Sequence, residues 1–305
     1  MTLSFKEMMG ILPTGIHPSK DGDVFDIYDE DMIEFLEHEY KKNIALLENS
    51  APARIPKVIH FIWIGPKPFP EESIENVLSW QKYHPSWELI FWTDSEERPL
   101  PVEKMTRKLI QEHHFGPMQS FIDLSQNWGE KSDLLRYHII EEFGGFYTDH
   151  DSRCLRSFEP FLQFDAVVCC EEPAWRGGVG ASHVLFQNGL FGAKPHHAFL
   201  KRTQENVARI WHELDAAYPD GNDPTPSWKV LRRTFDAFTL AVKDVLKQKA
   251  YRETMHDLLL PTCYFFPNRI LSEEDILRFI EKGVIWSSHE YAGLWADGAW
   301  GDIYN

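Results

Sequence analysis

Two apolar, β-rich runs separated by one helical stretch constrain the fold more than any other feature of this chain. Lys57-Val-Ile-His-Phe-Ile-Trp-Ile64 is stopped by Gly65-Pro66, and Trp87-Glu-Leu-Ile-Phe-Trp-Thr93 by Asp94; Glu71 to Tyr83 lies between them with helical periodicity. Strands joined by a helical crossover run parallel, so the expected class is α/β, with a mixed, mostly parallel sheet flanked by helices. Ahead of this unit, residues 27–49 place Met32, Phe35, Leu36 and Ile44 at helical spacing among charges, which predicts an amphipathic helix docked on the main fold. Further along, Ser132 to Phe143 predicts a helix stopped by Gly144-Gly145, and Phe146-Tyr-Thr148 a short strand. Ala166 to Cys170 and Val184 to Phe186 read as strands, and Ala198 to Tyr218 as a helix. Asp220 to Pro226 reads as a loop, and Ser227 to Leu259 as one long helix.

Charge and hydropathy exclude several classes. A formal charge of −16 leaves no general basic surface for a phosphate backbone, so nucleic acid is not an expected partner. The longest apolar runs, Val58 to Ile64 and Ala166 to Cys170, fall well short of the ~20 residues that span a bilayer, so no transmembrane anchor is expected. The opening MTLSFKEMMGILPTG lacks the basic start and long apolar core of a signal peptide, which points to the cytoplasm of the producing cell. Cys154, Cys169, Cys170 and Cys263 have neither framework nor CxxC spacing, so they read as reduced packing residues.

The chemistry concentrates between Lys131 and Asp151. Asp133, Arg136 and Tyr137 share one helix face and can present an acid and a base together. Asp149 and Asp151, two apart after a short strand, point the same way if the extended backbone continues, and two such carboxylates repel unless a cation lies between them. A hard divalent ion suits oxygen ligands and keeps positions open for substrate phosphates. The carboxyl end of a strand is also where open α/β sheets bind ligands. A DxD pattern by itself more often describes a solvated turn, and only its context turns the reading toward a metal site.

The whole arrangement resembles the sugar-binding DxD region of glycosyltransferase family 32, and also the catalytic domain of the large clostridial glucosylating toxins. The likeness extends to Ile59-His-Phe-Ile-Trp-Ile-Gly65, Trp80 to Trp92, Ser132 to Pro160, Asn188 to Leu200 and Leu260 to Pro267. It implies a GT-A fold, a retaining reaction, and Mn2+ as the usual metal with Mg2+ as the alternative. Asp149, Asp151 and His289 are then the implied metal ligands. Trp63, flanked by Ile62 and Ile64, looks like the residue stacking on the donor base, Tyr147 like a nucleoside contact, and Asp133 with Arg136 like the pair holding the sugar hydroxyls. Asn188 would face the sugar, and Trp295 would close over the donor. Each has a plainer counterpart: a core tryptophan, a structural ion pair, a turn asparagine, a surface histidine.

Residues 1–50 are expected to form an N-terminal helical segment and 51–305 one transferase domain. Its nucleotide-sugar half is 55–165, and its acceptor half 166–305 carries a helical insertion at about 198–259. Two departures from the family pattern stand out: Arg233-Thr-Phe-Asp236 replaces a Thr-Gly-Pro turn, and Leu294 precedes Trp295. The expected donor is a UDP-sugar, with GDP-mannose as the alternative, carrying a hexose or N-acetylhexosamine to a glycan, glycolipid or protein acceptor. Delivery into a host cell is the alternative location for an effector. The competing readings are a nucleotide-sugar-binding module without transfer and a metal-dependent nucleotide-sugar phosphohydrolase.

Overall fold

The computed structural model describes residues 3–11, 16–18, 24–26, 30–49, 51–172, 184–218 and 226–290. In chain order the strands are β1 (Ile16–Pro18), β2 (Val24–Asp26), β3 (Val58–Trp63), β4 (Glu88–Thr93), β5 (Thr106–Leu109), β6 (Gly145–Thr148), β7 (Ser152–Cys154), β8 (Ala166–Cys169), β9 (Leu190–Ala193), β10 (Asp257–Leu260) and β11 (Ser287–His289). The α-helices are α1 (Phe5–Met8), α2 (Glu30–Ile44), α3 (Ile74–Tyr83), α4 (Gln119–Leu124), α5 (Trp128–Phe143), α6 (Ala198–Ala217), α7 (Pro226–Arg233), α8 (Phe235–Leu246), α9 (Lys249–Thr254) and α10 (Glu273–Glu281). Among the described residues no helix is long and apolar enough to cross a membrane.

Seven strands form one sheet in the order β10-β8-β9-β6-β3-β4-β5. The β3-β4, β4-β5, β3-β6 and β10-β8 pairings are parallel; β9 alone is reversed, antiparallel to β6 and to β8. The expected mixed, mostly parallel sheet flanked by helices is therefore the observed one. Strands buried on both faces need continuous apolar sequence, and β3 has it: Ile59, Phe61, Ile62 and Trp63 all lie in the core. Two short ribbons, β1-β2 and β7-β11, stand outside this sheet. The expected N-terminal helix forms over Glu30–Ile44 and covers the β10 edge, where the Asn43 amide donates to the Asp257 carbonyl at 3.0 Å.

Two expectations from the sequence need correction. The long helix of Ser227 to Leu259 is instead α7, α8, α9 and then β10; the first break is a kink at Thr234 (φ −114°, ψ −78°). Leu258-Leu259-Leu260 finds strand partners in β8 rather than continuing a helix. Of Val184 to Phe186, only Phe186 pairs, as a single bridge to Cys170, and the actual strand follows at Leu190–Ala193. Residues 220–225 of the expected loop lie outside the described residues, and Pro226 opens α7. All four cysteines are buried and unpaired.

Candidate functional site

Helix α5 starts with Asn127, whose side chain accepts the Glu130 amide, and ends at Gly144 with φ +65°, a value that favours glycine. Most of the helix is buried from Gly129 to Ile140, so its polar face turns inward and needs partners there. Arg136 supplies them. Its Nη2 lies 2.8 Å from Asp133 Oδ1 and 3.2 Å from Asp149 Oδ1, Nη1 donates to the Asn188 carbonyl at 2.9 Å, and the guanidinium stacks 4.1 Å over the Tyr147 ring. Arg136 Nε is buried with no partner among the described residues. One cation thus ties together α5, the end of β6 and the approach to β9.

The backbone leaves the extended conformation immediately after Thr148, contrary to the geometry assumed for the DxD pair. Asp149 to Asp151 form a turn closed by Ser152 N–H donating to the Asp149 carbonyl at 3.2 Å. The two carboxylates still converge, because β7 follows at once and pairs with β11 in a register that sets His289 opposite Ser152. His289 Nε2 stands 3.2 Å from Asp151 Oδ1 and 3.5 Å from Asp149 Oδ2, and one ligand atom from each of the three side chains falls within 4.8 Å of the others. Two carboxylate oxygens and one imidazole nitrogen are a donor set that fits a divalent cation of the Mn2+ or Mg2+ kind, with imidazole favouring the former.

The electrostatics follow from this crowding. Burial works to raise the Asp149 carboxyl, but Arg136, His289 and the Tyr147 hydroxyl, which donates to Oδ1 at 2.5 Å, outweigh it and hold it at about 2. For Asp133 burial wins and its carboxyl is raised, although Arg136, Thr234 and Asn188 all oppose it. Burial disfavours charge on His289, yet Asp151 and Asp149 reverse that and raise its affinity for a proton. Arg136 and His289 are thus the two basic groups that face the paired carboxylates.

The other expected site residues divide. Asn188 joins the cluster: its Nδ2 donates to the Tyr137 hydroxyl at 2.8 Å, and the Tyr137 ring stacks 5.6 Å from Phe238 of α8. Trp63 is almost fully buried; its indole N–H donates to the Lys67 carbonyl at 2.9 Å, and its ring meets Phe69 and His150 edge to face. Ile62 and Ile64 are core residues beside it. Trp295 lies outside the described residues.

Sequence reasoning missed three contributors. Thr234, at the α7–α8 kink, donates its hydroxyl to the Val230 carbonyl at 2.8 Å and lies beside Asp133, whose carboxyl it helps to lower. Ser73 holds the ring of His150, the middle residue of the DxD, through Nδ1 at 2.8 Å. Gly189 accepts the Asp149 amide at 2.8 Å, and a Cβ there would stand 2.6 Å from Asp149 Oδ2. The signal for Gly189 was a turn-forming Asn-Gly pair; its closeness to Asp149 arises only because the reversed β9 sets Leu190 opposite Thr148.

Comparison with known proteins bears on the same segment. Residues 70–168 match the family described as "Glycosyltransferase sugar-binding region containing DXD motif". Inositol phosphoceramide mannosyltransferase 1 of Schizosaccharomyces pombe is 29% identical over 179 residues, 56% of this chain and 50% of that protein. Subversion of eukaryotic traffic protein A of Legionella pneumophila is 33% identical over 119 residues, 35% of this chain and 18% of that protein. The chain thus spans half or less of the length of these two relatives. A solved structure described as the PaToxG glycosyltransferase is 16% identical, with a TM-score of 0.49 over 84% of this chain and 83% of that one. With Asp149-His150-Asp151 inside the matched span and at the carboxyl end of β6, the chain carries the glycosyltransferase sugar-binding region that contains the DXD motif.

Proposed function

We propose that the protein is a metal-dependent, retaining glycosyltransferase of the GT-A kind that takes a hexose from a nucleotide sugar and passes it to a hydroxyl. The observation that carries this reading is the convergence of Asp149, Asp151 and His289 beside the Asp133–Arg136 pair at the carboxyl end of β6. Asp149, Asp151 and His289 would hold Mn2+, which when bound offsets the charge of a departing diphosphate. Asp133 and Asn188 would receive the sugar hydroxyls, while Arg136 fixes both carboxylates in place and Tyr147 orients Asp149. Trp63, with Ile62 and Ile64, would line the nucleotide side. With no side chain among the described residues placed as a covalent nucleophile, the acceptor hydroxyl would attack on the face the nucleotide leaves, its proton passing to the departing phosphate.

The names of the yeast relatives favour a mannosyl donor, so GDP-mannose belongs in the first panel beside the UDP-sugars. The acceptor is proposed as a glycan, a glycolipid or a protein. A site inside a host cell is motivated only by the Legionella relative's name. The test is nucleoside diphosphate release from each donor with Mn2+, alongside the Asp149→Asn/Asp151→Asn double variant. Cleavage of one donor that needs metal and vanishes in the variant supports transfer. Donor binding without turnover, even with acceptors added, makes the protein a binding module. Release of sugar phosphate makes it a phosphohydrolase.

A further inference from the structure

One cavity is lined by none of the metal-cluster residues. A half-open groove of about 740 Å3 lies between α3 and β7 and reaches the strand β4 that leaves the same corner. Its floor includes Leu78, one of the few large apolar side chains left exposed, together with Tyr83 and the buried edge of Trp87. That volume falls in the range of small-molecule sites, roughly 300–1,000 Å3.

The charge around the groove runs against the rest of the molecule. In a chain of net charge −16, Lys82, Lys104 and Arg153 all line this cavity, and Glu75 is the one carboxylate among its lining residues. Cations elsewhere are commonly matched: Arg54, Lys57, Arg98, Arg202 and Arg232 each pair with an aspartate or glutamate. None of the three groove cations has a carboxylate within ion-pair distance among the described residues; the Lys82 ammonium lies over the Tyr83 ring at 5.3 Å. Three unmatched cations around one concavity focus positive potential there. A planar guanidinium next to ammonium groups is an arrangement suited to phosphate oxygens. Neither aromatic handle competes for the ligand, since Trp87 Nε1 already donates to Glu159 and His84 bonds the backbone through both ring nitrogens.

From this we propose that the groove between α3 and β7 is a second ligand site, separate from the metal cluster, for a phosphate monoester whose apolar or carbon-rich portion rests on Leu78 and Tyr83. Arg153 would take the phosphate, with Lys82 and Lys104 flanking it. The proposal stands apart from the transferase reading and does not need donor turnover.

The phosphate can come from a soluble metabolite or from a lipid headgroup, and the experiment separates the two. In EDTA, so that no cation recruits phosphate to Asp149, Asp151 and His289, the full chain is titrated with glycerol phosphate. It is also co-sedimented with phosphatidylcholine vesicles with and without phosphatidic acid. The Lys104→Gln/Arg153→Gln variant, exposed at both positions, is compared with Lys201→Gln/Lys247→Gln, which removes the same charge elsewhere. The expected result is binding in one arm that falls about ten-fold in the groove variant, persists in the control variant and weakens with salt. Glycerol phosphate binding assigns a soluble ligand, and binding to phosphatidic acid vesicles alone assigns a lipid. If neither arm binds, or if both variants bind alike, the proposal is overturned.

Discussion

Lowering the pH from 7 to 5 should cost the folded protein about 2 kcal/mol for each of two buried histidines, His60 and His84. Both rings are held neutral by donors that cannot reverse. The Trp92 indole N–H donates to His60 Nδ1 at 3.0 Å, leaving Nε2–H to donate to the Gly144 carbonyl at 3.0 Å. The Phe158 peptide N–H donates to His84 Nε2 at 2.8 Å, leaving Nδ1–H for the Trp80 carbonyl at 2.9 Å. A second proton on either ring would face an N–H head on. Burial is the main cause that brings both down from 6.5 to about 4, against a weaker pull upward from the backbone carbonyls. The unfolded chain takes up these protons near 6.5 and the folded chain only near 4. The contribution is therefore complete above 6.5, declines as the pH falls through that window, and changes no further below about 4. Urea unfolding at pH 7, 6 and 5 measures it, with His60→Gln and His84→Gln as comparators that can keep one donor and one acceptor. Each variant should lose stability at pH 7 yet show a pH dependence shallower by about 2 kcal/mol between pH 7 and 5. Unchanged pH dependence in both variants would refute the assignment of fixed neutral rings.

Three further outcomes follow from the site and the core. Gly189→Ala puts a methyl 2.6 Å from Asp149 Oδ2, so Mn2+ affinity by calorimetry should fall roughly ten-fold with little change in melting temperature; unchanged affinity would show that Asp149 moves freely. Arg136→Lys replaces a fork that contacts Asp133, Asp149 and Asn188 with a single ammonium, and donor cleavage should drop about a hundred-fold in kcat/KM, the equivalent of ~3 kcal/mol. Phe146→Ala empties a fully buried ring position packed on Phe158 and Trp87, and should reduce unfolding free energy by about 3–5 kcal/mol in urea.

Local patterns were legible in the sequence where local physics decides them. The glycine stop of α5 and the breaker-bounded apolar runs of β3 and β4 could be read directly, whereas α5 starts at Trp128, a turn before the expected Ser132. The stretch from Ser227 to Leu259 could not, because apolar residues recur at helical spacing through the kink at Thr234 and no glycine or proline marks a break. A run such as Leu258-Leu259-Leu260 fits a buried strand or a helix equally; here the open edge of β8 decides. Asp149 and Asp151 announced themselves by spacing, although the backbone that brings them together is a turn and not a strand. Asn188 and His289 were reached only through resemblance, since the reversal of β9 and the β7-β11 pairing that carry them to Asp149 are non-local events without a sequence signature.

The β7-β11 ribbon also has a consequence for time. It joins segments more than a hundred residues apart, has three residues per strand and is not hydrogen-bonded to the seven-stranded sheet. Two-stranded pairings of this size are marginal alone, so the ribbon should open in a step smaller than global unfolding. The amides that close the ribbon, those of Leu155 and Glu290 among them, are expected to exchange with deuterium well before those of β3 and β4. A cation gripped by Asp149, Asp151 and His289 would join both halves of the ribbon and slow that exchange. The lifetime of the bound ion would then be set by how often the ribbon opens, and not by the strength of any single bond to the metal.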